Sequence, residues 1–167
     1  VALLLIIMKK LIVSIFILFS VAINLHAQEQ EQKKMPPITD PVTKEGWMND
    51  ANKAFKIAND EKRPIILDFT GSDWCGWCKK IDREIFDTPE FKKWVKENKV
   101  ILLELDFPKG VKQSDQLRAQ NYYLSQEYNI QGYPTILIVN NGKGIQMGYQ
   151  KGGPEAWIKS VESQLTF

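Results

Sequence analysis

Cys75 and Cys78 are the only two cysteines of the chain, three apart in Trp74-Cys75-Gly76-Trp77-Cys78. Two thiols at that spacing can join a metal site, staple the backbone, or exchange a disulfide with another molecule. A structural zinc site takes four ligands, usually Cys and His, and only His26 is there to join the pair. Covalent haem attachment needs a histidine directly after the second cysteine, where Lys79 stands. A staple closing so short a loop removes little entropy from the unfolded chain. Exchange is the reading with a mechanism behind it. In a first helical turn, residues i and i+3 bring their Cα atoms to roughly 5–6 Å, within reach of a disulfide. The free N–H groups and positive dipole end of that turn also favour a thiolate at Cys75.

The surrounding elements must hold the pair in such a turn. Pro64–Thr70 is an apolar run that reads as a buried strand, and Ile81, Ile85 and Phe86 recur as a helix face after the motif. Strand, short loop, then Cys-x-x-Cys opening a helix is the context in which the motif means redox chemistry. Upstream, Trp47, Ala51, Ala54, Phe55 and Ala58 predict an amphipathic helix ending near Asn59. Thr88-Pro89 reads as the cap and first residue of a helix through Phe91, Trp94 and Val95. Val100–Phe107 is a second buried strand, broken by Pro108-Lys109-Gly110. Residues 114–128 are helical in pattern, with Leu117, Leu124 and Tyr128 on one side. Thr135–Val139 and Ile145–Tyr149 flank Asn140–Gly144 as a hairpin, and Pro154 opens a last helix carrying Trp157, Ile158, Val161 and Leu165. This order predicts an α/β fold: a central mixed sheet flanked by helices on both faces, its first two strands parallel and its last two an antiparallel hairpin.

At 167 residues the chain suits one domain with a real core. Met8-Lys9-Lys10, the apolar run Leu11–Leu25 and Ala27 have the layout of a secretory signal peptide, so residues 1–27 are read as a leader whose true start is Met8, with a membrane anchor as the alternative if the segment is retained. Without Lys9 and Lys10 the remainder carries 20 basic and 20 acidic residues, which gives no steering toward a polyanion. Loss of His26 with the leader would also exclude histidine acid–base catalysis. Residues 28–42, polar and proline-bearing, read as a flexible linker, and 43–167 as the domain.

Four features, in this order, resemble the thioredoxin-like family across residues 43–166: Asp68-Phe69, Trp74-Cys75-Gly76-Trp77-Cys78-Lys79, Tyr128–Thr135 with its Gly132-Tyr133-Pro134, and Asn141-Gly142-Lys143. The chain is most similar to exported members and to the thioredoxin-like domain of periplasmic disulfide reductases. The resemblance implies a thioredoxin-like fold with Cys75 as the exposed nucleophile and Cys78 as the buried resolving cysteine. It implies that Asp68 is a buried acid beneath them, its pKa raised by burial so that it takes the proton from Cys78. Pro134 matches the family's cis-proline, and Trp74, Gly76, Trp77, Tyr133 and Pro134 are the expected substrate contacts. There are departures. Thr70-Gly71-Ser72-Asp73 makes the approach to the first cysteine one residue longer. The family's lysine near the buried acid falls at Leu102, so any proton relay is expected to use water or Asp68 alone. Asp73 is expected to be a solvated loop charge. The span from Asp106 to Tyr128 is longer than in an ordinary thioredoxin, and parallel strands end on one edge, which puts Phe107–Asp115 at the rim of the cysteine site.

The expectation is an extracytoplasmic, periplasmic thiol–disulfide oxidoreductase that exchanges disulfides with proteins, working as a reductase. Disulfide isomerase, oxidase, or a redox-inactive peptide-binding module are the alternatives. No cofactor beyond a redox-active Cys75–Cys78 disulfide is expected. The expected partners are protein thiols and disulfides and a membrane electron donor, without nucleic acid or metal, and the protein is read as a monomer.

Overall fold

The computed structural model describes residues 38–165 and Phe167. The expected leader, and the linker up to Pro37, lie outside the described residues. Five helices and four strands follow in the order α1 (Ala51–Glu61), β1 (Ile65–Thr70), α2 (Gly76–Ile81), α3 (Pro89–Glu97), β2 (Ile101–Asp106), α4 (Asp115–Glu127), β3 (Thr135–Asn140), β4 (Lys143–Met147) and α5 (Gly153–Glu162). A π-helical turn, Asp82–Phe86, continues α2. Local chemistry sets the ends. The Asp50, Thr88 and Ser114 side chains accept from the backbone N–H three residues on, capping α1, α3 and α4, and Pro89 is preset for a first helical turn. Asn141 and Gly142, both at positive φ, make a two-residue hairpin turn, so β3 and β4 extend further into the connection than the sequence suggested.

The sheet order is β2-β1-β3-β4. β1 pairs parallel with β2 and antiparallel with β3, and β4 returns antiparallel on β3. Alternation along β1 splits its side chains between two layers. Ile65, Leu67 and Phe69 join Leu103 and Leu105 under α1 and α4. Ile66 joins Leu102, Ile136 and Ile138 under α2, α3 and α5, where Phe86, Phe91 and Trp157 stack with ring centroids 4.9–5.9 Å apart. Each such fully buried side chain contributes roughly 1.5–3 kcal/mol of transfer free energy. Asp68 has the parity of Ile66, so the pleat sends its carboxylate toward the α2 side of the sheet.

The chain ahead of α1 forms a strap along the free edge of β2. Met48 bridges Leu103 in parallel sense. Thr43 Oγ1 donates to Glu104 at 2.6 Å, and the Asp40 carboxylate accepts from Ser114 N and Oγ at 2.7 and 2.6 Å. These bonds carry the folded region back to Asp40, ahead of the boundary expected at residue 43. The reason is long-range: Asp40 satisfies donors 74 residues away.

Candidate active site

Cys75 is the N-cap of α2, and its Sγ accepts from Cys78 N at 3.2 Å. The two cysteines are disulfide-bonded, with Cα atoms 5.2 Å apart. Cys78 is fully buried beneath the first turn, and Cys75 is only 6% exposed. The expected exposed nucleophile is thus nearly covered. Of the two, Cys75 at the cap keeps the small exposure and Cys78, inside the turn, has none.

The loop between β1 and Cys75 is fastened to the loop after β2. Gly71 O accepts from Cys75 N at 2.8 Å, and the Ser72 N–H and hydroxyl donate to Asp106 at 2.8 and 2.6 Å. Trp74 Nε1 donates to Phe107 O at 2.7 Å. Asp73 accepts from Lys109 N at 3.0 Å and from Gly110 N, which hold its carboxyl below the usual range. Asp73 therefore remains a surface loop charge, as expected, and in addition fastens the two loops together. The partner groups lie 36 and 37 residues away, beyond any local signal.

Two aromatic groups flank the disulfide. On one side Trp74 meets Tyr133 edge-on at 5.8 Å, Phe107 lies 5.0 Å from Tyr133, and Lys109 Nζ sits 4.2 Å above Trp74. The Tyr133–Pro134 peptide bond is cis. On the other side exposed Trp77 packs on Tyr149 at 5.5 Å, with Lys80 Nζ over both rings. Tyr149 OH donates to Glu84 at 2.7 Å. The sequence reading had Trp74, Trp77 and Tyr133, and it placed Phe107 and Lys109 in the segment at the rim; it missed Tyr149 and Lys80, whose roles depend on which elements meet. Gly76 lies exposed, with open space over its Cα.

Beneath the pair the lysine expected to be missing is present. β2 places Leu102 beside Ile66 in the apolar layer and Glu104 beside Asp68. The cation arrives from the strap: Lys44 Nζ lies 2.5 Å from Asp68, 2.6 Å from Asp82 and 3.9 Å from Glu104. The expectation of a relay through water or Asp68 alone is corrected accordingly. Burial pushes the Asp68 carboxyl up, against the pull of Lys44, and pushes Asp82 up to about 6. Burial alone would lower Lys44, but the charges of Asp68 and Asp82 prevail and hold it above its ordinary value. Asp82 was within reach of the sequence, four residues after Cys78 and so on the same helix face; Lys44 carried no local signal. Among the described residues no His, Cys, Asp and Glu group is arranged to hold a metal ion, and no helix is long and apolar enough to cross a membrane.

A Cys-x-x-Cys disulfide at the head of a helix in this sheet topology defines a thiol–disulfide oxidoreductase. The family profile described as a thioredoxin-like domain matches residues 51–162. A protein named disulfide bond reductase DsbH, from Chlamydia pneumoniae, is 34% identical over 115 residues, 68% of this chain and 69% of its own length. A solved structure titled DsbH oxidoreductase superposes with a TM-score of 0.67 at 29% identity, covering 84% of this chain and 99% of that one. The thioredoxin-related protein DsbJ of the same organism is 30% identical over 95 residues, 57% of this chain and only 27% of its own length. The chain belongs to the thioredoxin-like family.

Proposed function

We propose that the protein exchanges disulfides with other proteins outside the cytoplasm and acts there as a reductase. The observation that carries this is the placement of the bridge: Cys75 caps α2 and keeps a small residual exposure, and Cys78 is sealed inside the first turn. In the dithiol form the Cys75 thiolate, stabilised by the Cys78 N–H, attacks a substrate disulfide. The substrate S–S bond breaks, one substrate sulfur leaves as thiolate, and the other joins Cys75 as a mixed disulfide. Cys78, its proton taken by Asp68, then attacks the Cys75 sulfur and expels the second substrate thiolate. Two electrons pass from the dithiol to the substrate. The rings of Trp74, Trp77 and Tyr133, with Gly76 and Pro134, form the surface against which the substrate chain lies.

The direction rests on the likeness to a disulfide bond reductase, and export rests on the leader pattern of residues 1–27. A reductase in an oxidising compartment needs electrons from inside, so a membrane dithiol donor is part of this reading. Incubating Cys78→Ala with a disulfide-bonded peptide should trap that peptide on Cys75, visible as a mass increase that dithiothreitol removes. Absence of the adduct would reject the exchange mechanism. A reduction potential near the roughly −270 mV of thioredoxin supports the reductase direction, whereas one near about −120 mV marks an oxidase.

A further inference from the structure

Asp68 is well placed to receive a proton and poorly placed to lose one. Its side chain has no exposure, and its Oδ1 has no hydrogen-bond partner among the described residues. Yet each turnover must return Asp68 to the carboxylate before it can serve Cys78 again. Among the described residues the one cation against it is Lys44, whose Nζ also lies 2.6 Å from Asp82 Oδ1 as an ion pair that is not aligned as a hydrogen bond in this disulfide form. Side-chain exposure rises along this line, from 0% at Asp68 to 11% at Lys44 and 18% at Asp82. Asp82 lies one helical turn beyond Cys78 on the same face, at the point where α2 passes into its π-helical turn.

We propose that Lys44 and Asp82 form the exit by which the proton taken from Cys78 by Asp68 reaches solvent. This deepens the exchange mechanism above and rests on it. In one concerted shift the protonated Asp68 gives its proton to Lys44 Nζ while Lys44 gives one to Asp82. Asp68 ends as carboxylate, Lys44 remains an ammonium, and Asp82 ends as the acid, which then loses its proton to water. No other reactant is consumed, and the electron flow is that of the disulfide exchange. Lys44 and Asp82 act through Asp68 and are positioning residues. The charged groups around the line come from every neighbouring element: Asp68 from β1, Glu104 and Asp106 from β2, Lys44 from the strap, and Asp87 after the π-helical turn. The upward-shifted Asp82 acid, about 6, suits a group that must both accept and release a proton near neutrality.

The test is single-turnover oxidation of the reduced full chain by a small disulfide peptide, following release of the second peptide thiol across about pH 5 to 8 in buffers of graded concentration. Wild type should resolve the mixed disulfide at a rate indifferent to buffer concentration, because its proton leaves by the internal route. Asp82→Asn should resolve about tenfold more slowly above about pH 6, where wild-type Asp82 is a carboxylate able to accept, and converge on wild type toward about pH 5; its rate should recover as buffer concentration rises and be largely restored in Asp82→Glu. The first step, read as adduct formation in Cys78→Ala, should be the same with and without Asp82→Asn. Buffer-accelerated resolution in wild type would overturn the exit without any variant having to fold. So would an Asp82→Asn profile that superposes on wild type, or slowing that buffer does not relieve. An absent Cys75 adduct would instead reject the exchange reading itself, so the two failures are told apart.

Discussion

Gly71 lacks a side chain because Trp74 fills the space one would need. A Cβ there would lie 2.6 Å from Trp74 Cε2, and the indole is fixed by its bond to Phe107 O and its contact with Tyr133. Gly71→Ala should therefore displace the ring and cost about 1–3 kcal/mol, measured by urea unfolding. Truncating the indole in Gly71→Ala/Trp74→Ala should cancel most of that penalty in a double-mutant cycle. Asp82 makes a second prediction at this scale. Its folded pKa, about 6, lies above its ordinary 3.8, so the folded state binds this proton more tightly than the unfolded chain does. The resulting stabilisation is complete below about pH 4 and is lost as pH rises through about 6. Unfolding free energies across that window should fall on the order of 2 kcal/mol further in wild type than in Asp82→Asn. A matching slope in the variant would mean that other carboxyls, Asp68 and Glu104 among them, account for it.

At the scale of elements, the segment between β2 and α4 is held against the cysteine loop by Asp73 and Trp74 rather than by its own secondary structure. Its backbone bonds go to side chains of the loop before Cys75, and Lys109 lies over the Trp74 ring. Asp73→Ala should free this segment, and replacing Lys109–Asp115 with a short Gly-Ser link should remove it. Both changes should leave the dithiol's reaction with glutathione within about twofold of wild type, because loops of this kind carry recognition over the core chemistry. Exchange with a folded protein partner should slow by about tenfold or more. Comparing the two rates in stopped flow decides it, since equal slowing would make the segment a support for the cysteines and not a selector.

For the whole molecule, the strap is the element that makes the buried ion cluster affordable. Lys44 stands against Asp68, Asp82 and Glu104, and without it three carboxylates would face one another in a site where burial already disfavours charge. Lys44→Met should raise the apparent pKa values of Asp68 and Asp82 and leave the acids protonated near neutrality. It should destabilise the fold by about 3 kcal/mol at pH 8 and distinctly less at pH 5, where the carboxyls are neutral. Thermal unfolding at the two pH values checks this. Trp157→Ala, by contrast, removes a fully buried indole from the Phe86–Phe91 stack and should cost about 3–5 kcal/mol at either pH.

The sequence by itself determined the strands, the Thr88-Pro89 helix start and the cysteine turn, because each rests on local causes. Alternating apolar residues face one layer, a hydroxyl or carboxylate caps the N–H groups three residues on, and i, i+3 thiols in a first helical turn come within bonding reach. The family resemblance places Asp68 under the cysteine helix, and its parity with Ile66 in β1 is the physical reason the position fits. The supply of Lys44 from the strap, the fastening of Asp73 to Lys109 and Gly110, the capping bond of Asp40 to Ser114 and the second aromatic group at Tyr149 were decided by tertiary structure alone. Each joins groups that are 24 to 74 residues apart, or pairs rings from different elements. A buried charge accepts whatever partner the packed chain brings within reach, so its counterion is chosen by topology and not by neighbours in sequence.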